Sequence, residues 1–259
     1  LKQWDKAVSL FEGFRSQYPN SPLAKQIPAK LAIVYEETGQ LEKAAKAYLE
    51  TSRLSTNNEI KRSALLYSGL SYAKASKYSK AIENLRHYIN KYPLPLDAAQ
   101  EARNKLAESS QKTRDNNAHH FWLNELINAH NAHGTTANQR SIYLAAQASF
   151  TIAEDKHTQF KNINLTLPLA KSLAKKQKAL KLAINQYTDT IRYQVRDFTT
   201  GSNHKIGEIY LQLANDLLTS QRPKNLTTEE LTMYGSLLEE QAFPFEEKAI
   251  NLFENNIAL

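Results

Sequence analysis

Apolar residues recur every three or four positions along most of this 259-residue chain, the spacing that lays one apolar face along a helix. Residues 3–18 carry Trp4, Ala7, Val8, Phe11 and Phe14 in that spacing. Pro19 and Pro22 end this helix, because proline lacks the backbone donor to continue it. The next helix is predicted over 23–38, with Leu31, Ile33, Val34 and Tyr35 as its apolar content; Pro28 either bends it or marks a later start. Gly39 stands where a helix-ending glycine belongs, and a partner helix follows over 41–53. Asn57 and Asn58 offer an N-cap for a helix over 59–76, and another over 78–91 runs to Tyr92-Pro93. Asp97-x-x-Gln100 has the form of a capping box.

These helices repeat. Ala7, Ala44 and Ala81 stand 37 residues apart, each followed four positions later by a bulky residue: Phe11, Tyr48, Leu85. Ala32/Tyr35 and Gly69/Tyr72 form a second matching set, and Tyr18-Pro19 and Tyr92-Pro93 a third. A fixed period of this size marks stacked supersecondary units. One more period reaches Ala118 and Trp122, which fit, and Leu106 and Ser109, which do not. Residues 97–134 are therefore expected to form a degenerate fourth unit. Because Leu1 falls inside a repeat, the first unit is expected to lack its first helix and the sequence to be part of a longer one.

After Gly134 the period fades while the helical pattern continues. A helix is predicted over 137–155, then an extended connector at Phe160–Leu167, where polar and apolar residues alternate. Pro168 opens a long helix to about Val195, striped by Leu173, Leu180, Ile184, Tyr187, Ile191 and Val195. A further helix over 203–219 carries Gly207-x-x-Tyr210, with Gly201 to His204 as its start. Arg222-Pro223 breaks it, and Thr227-x-x-Glu230 caps the next. Phe243-Pro244-Phe245 is expected to interrupt before a last helix with Ala249 and Phe253.

Composition narrows this picture. Seven glycines and eight prolines suit long helices with short connections. No apolar run approaches the ~20 residues that cross a bilayer. Without cysteine there is no disulfide or thiol chemistry. The net charge of +7 comes from Lys and Arg spread along the chain among Asp and Glu, the pattern of a mildly basic, solvated surface.

Small-x-x-aromatic, an alanine twelve positions on, a bulky residue four later and a proline eight later still resembles the tetratricopeptide repeat. Gly69, Tyr72, Ala81, Leu85 and Pro93 carry it in one unit, and Ala32, Tyr35, Ala44 and Tyr48 in another. The resemblance implies an all-α fold, an α-solenoid of antiparallel helix pairs in a right-handed superhelix. Residues 1–134 would form the array, and 135–259 diverged pairs continuing the stack. It also implies ligand binding on the concave face, lined by the first helix of each pair. Those positions are Gln26, Ala29, Ile33, Glu36 and Glu37 in one unit, and Ser63, Leu66, Leu70, Ala73 and Lys74 in the next. The mixed apolar and charged surface suits a peptide or a partner helix. Ala29 and Ile33 replace the Lys and Asn of the family's two-carboxylate clamp, which disfavours chaperone-tail binding. Three further stretches are residues 121–123, 222–226 and 237–250. They are similar to long bacterial envelope proteins of this family, some of which accompany TonB/ExbB/ExbD-type systems.

The candidates for chemistry are few. His119, His120, His130 and His133 cluster near Glu125, but a zinc site needs more ligands than one helix face offers. Neither a nucleophile elbow nor a phosphate-binding glycine loop is present, and the pairs Glu239-Glu240 and Glu246-Glu247 point apart on a helix. Lys171, Lys175, Lys176, Lys178 and Lys181 make the strongest basic cluster, with Lys171, Lys175 and Lys178 on one face. The chain is thus expected to be a non-enzymatic interaction scaffold with no cofactor. Its expected partner is another protein, energy-transducing envelope components being candidates. Neither nucleic acid nor a small-molecule substrate is expected. The expected location is the bacterial periplasm or the outer membrane, with the cytoplasm as alternative. The rival function is nucleic-acid or anionic-membrane binding through Lys171–Lys181.

Overall fold

The structure, a computed structural model, describes residues 2–134 and 137–257. Within them lie eleven α-helices: α1 (Lys2–Gln17), α2 (Ile27–Glu37), α3 (Leu41–Leu54), α4 (Asn58–Lys74), α5 (Tyr78–Lys91), α6 (Leu96–Lys112), α7 (Asn116–His133), α8 (Gln139–Lys161), α9 (Leu169–Ile191), α10 (Arg196–Leu218) and α11 (Thr228–Ile257). The fold is all-α, an α-solenoid of successive helix pairs. The chain divides into two compact units, Leu1–Ser141 and Ile142–Leu259.

In the first unit, Pro28 marks a later start rather than a bend. A single 3-10 turn, Ala24–Gln26, precedes α2, and Pro28 sits in its first turn, where a missing donor costs no hydrogen bond. Each pair then turns through the same cap. Gly39 takes φ +73°, while the Gly39 and Gln40 amides donate to the Glu36 and Tyr35 carbonyls at 3.1 and 2.7 Å. Ser76 and Arg114 adopt the same left-handed conformation, with matching amide bonds from Lys77 to Tyr72 and from Asp115 to Ser110.

Those caps correct the fourth register. They are 37 and then 38 residues apart, so one residue has been inserted. The slots of the fourth unit are therefore Ala107, Ser110, His119 and Leu123, one position beyond Leu106, Ser109, Ala118 and Trp122. All four are buried. His119 Nδ1–H donates to the Ala107 carbonyl at 2.8 Å, which joins the two slots that pair as Ala32 with Ala44 and Gly69 with Ala81. The expected Asp97/Gln100 capping box is also absent: α6 starts at Leu96 with Pro95 as its N-cap. Gln100 instead lies fully buried and donates to the Leu126 carbonyl at 2.9 Å and the Ser141 hydroxyl at 3.2 Å.

Close approach explains the small residues. A methyl group added at Gly69 would lie 2.5 Å from Leu85 Cγ, and Leu85 is fully buried with nowhere to move. Gly69→Ala is expected to destabilise by about 1–2 kcal/mol, overpacking outweighing the helix preference of alanine. Gly235→Ala, whose added methyl meets nothing within 4 Å, is expected to stabilise by about 1 kcal/mol. Urea unfolding of both variants checks the opposed signs, and a stabilised Gly69→Ala would refute the packing argument.

In the second unit, α8 runs to Lys161, so the connector shortens to 162–168. The Ser149 and Thr190 hydroxyls meet at 2.8 Å between α8 and α9. Helix α9 ends at Ile191, leaving Val195 as the N-cap of α10. Gly201 to His204 therefore lie inside α10 rather than at its start. On α11, Phe253 closes over Gly207, whose added methyl would stand 2.5 Å from the ring, and Ala249 is buried beside it. Thr227 and Glu230 cap α11 reciprocally, at 2.7 and 3.2 Å. Pro244 does not interrupt this helix. Phe243 and Pro244 lie on the exposed side of the helix, so the carbonyl that proline frees is not shut away from solvent, while Leu238, Ala242 and Ala249 stay buried.

Candidate functional site

The exposed side of α2 and α4 carries three large apolar side chains that nothing covers. Ile33 is 54%, Ile60 48% and Tyr67 49% exposed. All three line one hollow of about 330 Å³, floored by Ala29, Ala64, Thr51 and Tyr48 and edged by Ser63. Ile60, Ser63 and Tyr67 share a face of α4 because residues three and four apart are helical neighbours. A second hollow of about 520 Å³ continues the surface towards Gln26 and Lys30, sharing Ala29, Thr51, Asn57 and Ile60 with the first.

Polar bonds fix this surface. Glu36 accepts from Lys74 Nζ at 2.8 Å and from Tyr48 Oη at 2.9 Å, tying α2, α3 and α4 together. The Lys74 ammonium holds the Glu36 carboxyl below the usual carboxylate range, while burial raises the Tyr48 phenol. The bond also fixes the Tyr48 ring, whose centroid lies 5.5 Å from that of Tyr67. Tyr35, buried, donates to Glu12, and its phenol is pushed up to about 12.

The structure thus gathers Gln26, Ile33 and Ser63 onto one continuous surface. Leu66 and Leu70 are half-buried and Ala73 is buried, so these three contribute little to it. Glu36 and Lys74 are bonded to each other, and Glu37 is exposed near the end of α2. Ile60 and Tyr67 were missed by the family register. Their signal was present, since they fall three before and four after Ser63.

The basic cluster of α9 loses one of its five lysines to the interior. Lys176 is 1% exposed; it pairs with Asp216 and donates to the Phe160 and Ile163 carbonyls at 3.3 and 2.7 Å. Lys171, Lys175 and Lys178 stay exposed on one face of α9, the first two edging a hollow of about 450 Å³ whose other lining residues are uncharged. Each histidine of the cluster has a hydrogen-bond partner of its own, His130 bonding the Ser141 hydroxyl. His119 is buried against Ala107, while His120 and His133 donate to the Asn116 and Ala129 carbonyls of their own helix. Among the described residues no three His, Asp or Glu side chains stand close enough to hold a metal ion. No described helix is long and apolar enough to cross a membrane.

Comparison with known proteins agrees with the repeat. A family model described as tetratricopeptide repeat matches residues 1–21 and 63–94. The second match contains Gly69, Tyr72, Ala81, Leu85 and Pro93. Two crystal structures of MamA align with the chain. One is 17% identical over 90% of this chain and 94% of that one, with a TM-score of 0.46. The other is 18% identical over 88% and 98%, with a TM-score of 0.42. No curated protein sequence matches.

Proposed function

We propose that the chain is a non-enzymatic protein–protein interaction scaffold, and that the exposed side of α2 and α4 receives a peptide or a helix of its partner. Repeats of this type support the scaffold role. The observation that supports the location is the convergence of Ile33, Ile60 and Tyr67 on one hollow with a hydrogen-bonded rim. Large apolar side chains gathered in one patch mark interaction sites more strongly than the same residues scattered. An aromatic residue in a preformed hollow is the usual anchor of such a site. The Glu36 bridge holds the helices in place, so binding spends little on ordering the surface.

Ile33→Asp with Tyr67→Asp is expected to weaken capture of a partner by about 100-fold, since each change removes an anchor worth ~1–2 kcal/mol. Lys171→Glu with Lys178→Glu is expected to leave capture unchanged. Quantitative co-precipitation against the wild-type chain, with helicity checked by circular dichroism, reads both. Retained capture by the first pair of changes would move the site elsewhere.

A further inference from the structure

The positive excess is not spread evenly along the chain, as the interleaving of charges suggested, but falls in the first unit. Residues 1–141 hold 20 Lys and Arg against 13 Asp and Glu, which accounts for the whole +7. Residues 41–92, from α3 through α5, hold ten against four, a net of +6. These three helices enclose a cleft of about 570 Å³. Its residues on α4 are Lys61, Leu65 and Tyr72; at 100° per residue they lie on the side of that helix opposite Ile60, Ser63 and Tyr67. The cleft is therefore a second surface, separate from the hollow beside Ile33.

Its walls are basic and its floor is apolar. Arg53, Lys61, Lys80, His87 and Lys91 line it, with Glu83 as the one carboxylate. Of the lining cations Lys80 shares the Glu42 carboxylate with Lys46 and Lys77, one negative charge against three positive, while outside the cleft Arg15 is paired with Glu50. Among the described residues, the side chains of Arg53, Lys61 and His87 make no hydrogen bond or ion pair. The uncompensated charges of Arg53 and Lys61 beside a low-dielectric cleft focus a positive potential into it. Leu49 and Leu65 supply apolar lining, and the Tyr72 and Tyr92 rings sit 5.5 Å from the Lys80 and Lys91 ammoniums.

Length and lining define the ligand. From Lys80 to Lys91 the wall on α5 is ~17 Å long, which matches about five residues of extended peptide. Carboxylates along such a peptide would meet the cations, and an apolar side chain between them would meet Leu65 and the tyrosines. A nucleic acid strand fits less well, because Glu83 would oppose its unbroken line of phosphates. We propose that the cleft between α3, α4 and α5 binds an acidic peptide segment of a partner protein, one with an apolar residue among its carboxylates.

The test uses the full chain and a fluorescent eight-residue peptide, Glu-Glu-Glu-Leu-Phe-Glu-Glu-Glu, followed by anisotropy at low salt. Saturable binding is expected, lost when glutamine replaces each glutamate. Arg53→Glu with Lys61→Glu is expected to weaken it at least about tenfold, whereas Lys171→Glu with Lys178→Glu, an equal change of net charge, should weaken it less than about twofold. Should the first pair lose helicity, Arg53→Gln with Lys61→Gln reads the same question. Three results would overturn the proposal: no saturable binding at low salt, equal weakening by both pairs, or tighter cleft-dependent binding of single-stranded DNA of equal charge. Because Ile33 and Tyr67 lie on the other side of α4, changes there should leave this peptide's affinity intact.

Discussion

Replacing Asp216 by alanine is expected to cost the second unit about 3 kcal/mol, the lower end of what breaking a buried ion pair removes. The Lys176 ammonium is enclosed: its side chain is 1% exposed, it lies 4.4 Å from the centre of the Phe160 ring, and its other partners are two backbone carbonyls. Without Asp216 the charge has no counter-ion and no route to water. Asp216 keeps 23% of its own side chain exposed, which is why the lower end applies. The pair also fastens the end of α8 and the connector to α9 and α10, so its loss should loosen residues 160–163 before the rest of the unit. Lys176→Met with Asp216→Leu is expected to stay within about 1 kcal/mol of the wild type, since an apolar pair of similar volume replaces the ions without leaving one unpaired. Urea unfolding of the single and double variants decides. A double variant as unstable as Asp216→Ala would show that packing, not charge, holds this junction.

Acid is expected to destabilise the same unit through His157. This residue is 4% exposed, with its ring against Phe160 and Tyr187. Burial lowers its pKa to about 4, with the Lys161 charge adding to the effect; Lys205 lowers it further and Glu208 opposes. The folded protein thus keeps the imidazole neutral at pH values where an unfolded chain, near pH 6.5, binds a proton. Stability from this group is complete above pH 6.5 and is lost as pH falls towards 4, because the unfolded state takes up the proton first. The loss approaches about 3 kcal/mol at full protonation. His157→Phe should flatten the dependence between pH 6.5 and 5, a window above the range where carboxylates dominate. An unchanged slope in urea unfolding would assign the acid sensitivity to other groups.

Both sites show how far local pattern reaches. Lys176 stands three residues after Leu173 and four before Leu180, on the apolar stripe of α9, so its burial was legible once position was weighed above residue type. What the stripe did not carry was Asp216, forty residues away, which makes that burial tolerable. The caps divide in the same way. Asn57 and the Thr227/Glu230 box form as expected because each needs only its own turn of backbone. The box at Asp97 fails because Gln100 has buried partners on other helices and Pro95 already sets the helix start. The fourth register slipped by one residue because Ala118 and Trp122 kept the right spacing to each other while the whole frame had moved.

The sequence by itself determined an all-helical chain of stacked pairs. Period, small residues and turn chemistry act over a few residues, and a 37-residue repeat copies them openly. The resemblance to the tetratricopeptide repeat implied in addition that Ile33 and Ser63 lie on the ligand-facing side of the first helices; the structure leaves Ile33 exposed and Ser63 half-buried. Tertiary packing decided which charges find counter-ions and which apolar residues stay uncovered. Ion pairing and burial depend on distances between helices far apart in sequence, and no single helix encodes them. Thus Glu36 became a bridge, Lys176 a buried cation, and Arg53 and Lys61 the unpaired wall of a cleft.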